Sequence, residues 1–170
     1  MIQKQRSASI STKTLVILAL LTGMSFILEK YLGISSPLFK LHFGYIPIAL
    51  SGMLFGLPGA LLTGVTADIL SNIQYFNIIW VLLAALEAAV FALFLHPESK
   101  DQKQMLRRAL LCQLTVSLVI QAGLNTLLLW LMYRSFNPIR FVSNALTFPF
   151  KTASLYFLLK YRKQLERFVA

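Results

Sequence analysis

Charged residues are so sparse and so spaced in this chain that they mark off stretches no water-soluble fold would carry. Residues 14–28, 41–67, 69–86, 88–97 and 109–133 contain no Asp, Glu, Lys or Arg, and 141–159 is interrupted by Lys151 alone. An α-helix needs roughly 20 apolar residues to cross about 30 Å of hydrocarbon. Of the 170 residues 13% are charged and 57% hydrophobic, where a soluble domain carries roughly 25% charged. The chain is read as an integral membrane protein forming a single transmembrane domain over residues 1–170. It is too apolar to stay disordered. One cysteine, Cys112, supports neither a disulfide framework nor a cysteine zinc site. His42 and His96 stand far apart, so no metal and no cofactor is expected.

The number of crossings turns on residues 43–73, too long for one comfortable span and short for two. Gly56-Leu-Pro-Gly59 near the middle is a strong turn signal. Lys and Arg near helix ends favour the cytoplasmic side. The basic residues cluster in the arm 1–12 with Lys13, in the loop 97–108 and in the tail 161–170 with Lys160. A break within 43–73 puts all three clusters on one side; a single helix would not. The expectation is an all-α bundle of six membrane helices with both termini cytoplasmic. The net charge of +10 is then assigned to insertion and anionic lipid, not to nucleic acid. The first apolar stretch lacks a following cleavage pattern and is read as a retained helix.

Small residues recur four apart, a spacing that lets helix backbones approach closely in lipid. Ala19 and Gly23 carry it in the first helix, Gly52 and Gly56 in the second, Ala60 and Gly64 in the third, and Ala84, Ala88 and Ala92 in the fourth. Polar side chains inside a membrane are costly and point to function. In the sixth helix Arg140, Asn144, Thr147 and Lys151 fall within roughly a 60° stripe at about 100° per residue. The third helix offers Asp68 and Asn72, the fourth Trp80 and Glu87, the fifth Gln121 and Asn125. Glu87 and Lys151 sit at similar depth, where they either pair with each other or face a ligand. In the six-helix topology the other groups gather in the outer half, as a pocket open to the outside.

Such a pocket suits a small molecule with a flat polar ring and an anionic end. Arg supplies a planar fork for carboxylates, an Asp beside an Asn can read a heterocycle, and Trp and Phe supply stacking faces. No phosphate-cradling G-x-x-x-x-G-K-[ST] is present, so any transport must be powered by another protein.

The residues that carry these features resemble a known family, the substrate-capturing S components of energy-coupling factor (ECF) vitamin transporters, in particular the folate-type members. The resemblance covers almost the whole chain. It is strongest in Leu41-His-Phe-Gly-Tyr-Ile-Pro-Ile-Ala-Leu-Ser-Gly-Met-Leu-Phe-Gly56 and Ala60-Leu-Leu-Thr-Gly-Val-Thr-Ala-Asp-Ile-Leu70. Gly123-Leu-Asn-Thr-Leu-Leu-Leu-Trp130 and Arg140-Phe-Val-Ser-Asn-Ala-Leu-Thr-Phe-Pro149 resemble it too. The segment from Asn72 to Trp80 departs from the family pattern in lacking glycine. The resemblance implies a six-helix fold with an outer ligand pocket, a gating loop at residues 33–42, and folate as ligand. It implies a partner transmembrane coupling (T) subunit and two cytoplasmic ATPase subunits, with Ala19 and Gly23 on the docking surface. By the same implication Asp68 and Asn72 address the pterin, Trp80 and Phe39 or Phe148 stack on rings, and Arg140 and Lys151 hold carboxylates. Asn125 and Asn144 complete the polar lining.

The nearest rival keeps this architecture and changes the vitamin to pantothenate, thiamin or a queuosine precursor. A rival of another class is an intramembrane enzyme with Glu87 or Asp68 as general base. The sequence has no H-E-x-x-H and no G-x-S-x-G elbow to support it, and no catalytic residue is assigned. A purely structural membrane subunit would bind no ligand at all.

Overall fold

The computed structural model describes residues 11–32, 34–35, 40–98, 101–134 and 138–169. The chain runs α1 (Thr12–Lys30), a two-residue antiparallel pairing β1 (Ile34–Ser35) with β2 (Lys40–Leu41), α2 (Tyr45–Ser71), a 3-10 turn (Ile73–Tyr75) and α3 (Ile78–Leu95). Next come α4 (Gln102–Thr115), a π-helical stretch (Val116–Leu124), α5 (Asn125–Tyr133), α6 (Ile139–Lys160) and α7 (Arg162–Val169). The α4-to-α5 run is one rod, so counting α2 as two halves gives six membrane helices among the described residues. Four elements are long and apolar enough to cross a bilayer: α1, α2, α3 and the span Gln102–Met132. The 22-residue α6 falls outside that group, as its stripe of Asn144, Thr147 and Lys151 lowers its hydropathy. Among the described residues only the strand pair departs from the all-α expectation. The expected gating loop at residues 33–42 lies partly outside the described residues, at 33 and 36–39.

Helix α2 is where the fold is decided. Gly56 has φ 68° and ψ −156°, a combination reached almost solely by glycine. Pro58 follows in the first turn of the new helix, where its missing N–H removes no hydrogen bond. The two halves fold back on each other: a Cβ placed on Gly52 would lie 3.3 Å from the Ala60 Cβ, and one on Gly64 3.4 Å from the Ile48 Cγ2. The first half, residues 45–55, is about 16 Å long at 1.5 Å per residue, half the thickness of the hydrocarbon.

Helix α3 packs on both halves at backbone distance. A Cβ on Gly52 would sit 3.1 Å from the Ala92 nitrogen, and one on Gly64 only 2.8 Å from the Ala88 Cβ. The small residues of α2 and α3 are thus spent on internal packing. Gly23 is different, for a Cβ there meets nothing within 4 Å, and Ala19 is exposed. The buried core joins Tyr45, Met53, Phe91 and Leu95 to Cys112, Val116, Leu155 and Leu159.

At the end of the bundle where α3 stops, two arginines serve backbone carbonyls that the helix terminus leaves without partners. Arg162 Nη1 donates to the His96 carbonyl at 2.6 Å and its Nε to Glu166 Oε1 at 2.6 Å. Arg108 Nη1 donates to the Pro97 and Glu98 carbonyls. His96 also meets the Met53 carbonyl through Nδ1 at 3.2 Å, just before the reversal. Substituting Gly56→Ala forces the strained backbone region on a residue with a Cβ and brings that atom 3.4 Å from the His96 ring. It should cost about 1–3 kcal/mol, read as a lowered Tm of the detergent-solubilised protein.

Candidate ligand-binding site

Because the first half of α2 begins only at Tyr45, the space beyond it is left to a cavity of about 790 Å³. That lies within the roughly 300–1,000 Å³ typical of small-molecule sites. No residue of 45–67 borders it. The wall comes instead from the end of α1, the second half of α2, the start of α3, the π-helical stretch with α5, and α6. Glu29 of α1 and Asn144 of α6 border it, so it lies at the end of the bundle away from both Thr12 and Lys160.

Each wall has a local cause. Ser25 Oγ donates to the Gly44 carbonyl at 2.7 Å, and a Cβ on Gly44 would lie 2.9 Å from the Glu29 Cβ. Glycine there lets the incoming loop lie on α1, which sets His42 on the cavity beside Glu29. Ser71 Oγ donates to Glu29 Oε2 at 3.2 Å, fixing α1 to the end of α2. Asn72 Nδ2 donates to Asp68 Oδ1 at 2.9 Å and to the Asp68 carbonyl, so these two act as one donor–acceptor unit. Asn77 accepts from the Ile79 N–H at 3.0 Å and caps α3. Trp80, Leu83 and Glu87 then descend that helix along the wall. In the rod, Gln121, Asn125 and Leu129 recur every four residues on the cavity side. The π-helical turn ends with the Asn125 N–H on the Ile120 carbonyl, a wide turn of the kind often found at functional sites.

Lys151 is the deep cation. Its side chain is 5% exposed, and its Nζ stands 5.5 Å from the centre of the Tyr45 ring. That ring stacks on Phe91 at 6.5 Å, and its hydroxyl donates to Ser154 Oγ at 3.0 Å. Glu87 lines the same cavity, but no ion pair closes between the two; their charges act across the gap.

Of the residues assigned from sequence, Asp68, Asn72, Trp80, Asn125, Asn144 and Lys151 all border the cavity. Phe148 is not among its lining residues. It stands one residue past Thr147, off the polar stripe of α6. Phe39 and the side chain of Arg140 lie outside the described residues; Arg140 occupies the first turn of α6. Thr147 shares the stripe but donates back to the Ser143 carbonyl at 2.9 Å, which withdraws its hydroxyl from the cavity. The assignment missed Glu29, His42 and Ser143. Glu29 is legible only as the last acidic residue of an apolar helix, and His42 reaches the cavity by a loop path that periodicity does not encode.

Fold and cavity together define a multi-pass membrane protein that holds a small solute in a cup at one end of a helical bundle. The chain matches the ECF-type riboflavin transporter S-component family over residues 9–148, and it belongs to that family. Among its relatives, the folate transporter FolT of Clostridium novyi (strain NT) is 26% identical over 163 residues, 89% of this chain and 91% of that protein. A crystal structure of FolT bound with folic acid superposes with a TM-score of 0.70 at 21% identity, covering 88% of this chain and 92% of the other. That likeness establishes the shared fold.

The two tryptophans are placed differently: Trp80 borders the cavity, whereas Trp130 is 46% exposed on the outer surface beneath Arg134. A ligand that fills the cup should quench tryptophan fluorescence in the wild type and in Trp130→Phe. In Trp80→Phe most of that quenching should be lost.

Proposed function

We propose that this chain is the folate-capturing subunit of an ECF importer: it takes the vitamin at the extracellular face and acts by binding, without chemical conversion. The observation that carries this reading is the composition of the cup. It joins an indole wall, the Asp68–Asn72 unit and the Lys151 ammonium in one cavity large enough for a vitamin. The FolT relative and the folic-acid-bound FolT fold lend it independent support. Trp80 stacks on a ring system, Asn125 and Asn144 read polar groups along the wall, and Arg140 at the start of α6 holds a tail carboxylate. Phe39 belongs to the gating loop at residues 33–42, and Phe148 is the weaker stacking candidate.

The orientation follows the basic residues. With Lys103, Arg107, Lys160 and Lys163 at the end opposite the cavity, the positive-inside rule puts both termini in the cytoplasm and opens the cup outward. The sequence carries no phosphate-cradling G-x-x-x-x-G-K-[ST], and delivery depends on a T subunit and two ATPase subunits, as the family implies. The open small-residue face at Ala19 and Gly23 is the docking surface.

Equilibrium titration of the purified protein with folate tests the reading, with a sub-micromolar Kd expected and absence of saturable binding overturning it. Arg140→Ala should weaken folate by about 2–5 kcal/mol, the usual loss on removing one partner of a charge-assisted contact. Pteroate, whose single carboxylate sits on the benzoyl ring and not on a glutamate tail, should lose less affinity by the same change. Riboflavin is the second reading, favoured by the description of the family itself. It has no carboxylate for Arg140 to hold, and a parallel titration separates the two vitamins.

A further inference from the structure

Three carboxylates border the cup, and two are already engaged: Glu29 accepts from Ser71 and Asp68 from Asn72. The third, Glu87, takes no hydrogen bond and no ion pair among the described residues. It stands about 14 Å from the start of α3 at 1.5 Å per residue. It is the last residue along α3 to border the main cavity, which puts it at the inner end of the cup, and with Glu29 and Asp68 it also borders a smaller chamber of about 90 Å³. Lys151 also borders the main cavity, held against the Tyr45 ring that helps line the chamber. An ionisable group at this depth is costly unless its acceptors are met. Here the unmet acceptors face the space a ligand enters.

We propose that Glu87, with Lys151 opposite, reads the hydrogen-bonding edge of the ligand ring and makes the cup select a 2-amino-4-oxo ring over a 2,4-dioxo ring. The proposal rests on the folate reading and deepens it, moving the ring-reading role from Asp68, whose Oδ1 Asn72 already occupies, to Glu87. A 2-amino-4-oxo ring presents its N3–H and its exocyclic amine side by side. A carboxylate offers two acceptors at matching spacing, and an ammonium donates to the neighbouring 4-oxo group. A 2,4-dioxo ring, as in a flavin, flanks its N3–H with two carbonyls. One of these would then face a carboxylate oxygen, acceptor against acceptor, and a site built for hydrogen bonds rejects such a mismatch strongly. The flat ring therefore lies deep and the acidic tail points to the mouth, where Arg140 and Asn144 stand at the start of α6.

Glutamine at position 87 inverts the code, since it offers one acceptor and one donor, the complement of N3–H beside C2=O. Titrations of wild type and Glu87→Gln with folate and riboflavin test this. The variant should lose folate affinity by at least about tenfold while riboflavin binding stays level or rises. In the wild type, pterin should compete with bound folate at least about tenfold better than lumazine, the same bicycle with a 2-oxo group; this comparison needs no variant to fold. Lys151→Met should lower the preference for folate over its 4-amino analogue aminopterin. Equal competition by pterin and lumazine, or a folate-to-riboflavin ratio unchanged in Glu87→Gln, overturns the role of Glu87 while leaving folate capture standing. A wild type that binds no folate overturns both.

Discussion

The first half of helix α2 starts partway through the bundle at Tyr45, reverses at Gly56 beside His96 where α3 ends, and returns, and the remaining elements are arranged around that short first half. Its end packs under α3 through Gly52 and Ala92, and its start rests on Phe91 through Tyr45. Below it the bundle is closed by Met53, Leu95, Cys112, Val116, Leu155 and Leu159. Above it there is no helix to fill the space, and most of the side chains that turn inward there are hydrophilic. The same break that costs one membrane-length helix thus creates both a dry inner half and a cup. Lipid offers no partners to polar groups, so those groups are directed into the cavity.

The cup is stiffened where it meets the chain's own backbone and left open where it would meet a ligand. Ser25 to Gly44, Ser71 to Glu29 and Asn77 to Ile79 fix the positions of three walls. Trp80, Asn125 and Asn144 stand between these fixed points on helices, where their directions are set by rigid elements. A site preorganised in this way spends little binding energy on ordering side chains.

Much of this was legible in the sequence, for physical reasons that can be named. Membrane helices announce themselves by missing charge, and a Gly-x-Pro-Gly reversal announces itself by composition. The stripe Asn144 to Lys151 follows from helical period alone, and both ends of it reach the cavity. What escaped has equally definite causes. Phe148 lies off the polar stripe, so its aromatic character was no guide to its direction. His42 and Glu29 come to one cavity through the close approach of Gly44 to α1, a tertiary contact without periodicity. The strand pair Ile34 with Leu41 and Ser35 with Lys40 is too short to leave an alternating pattern.

The π-helical stretch carries a consequence for how the fifth membrane span can be tuned. A wide turn adds rotation without adding a full helical step, so it uncouples the angular phase of the two ends of one rod. Before it, Ala109, Cys112 and Gln113 keep their bearing on the interior. Beyond it, Asn125 and Leu129 take their bearing on the cavity from the wide turn. One continuous span can in this way hold a constant grip at one end while its other end is swivelled to suit a different guest.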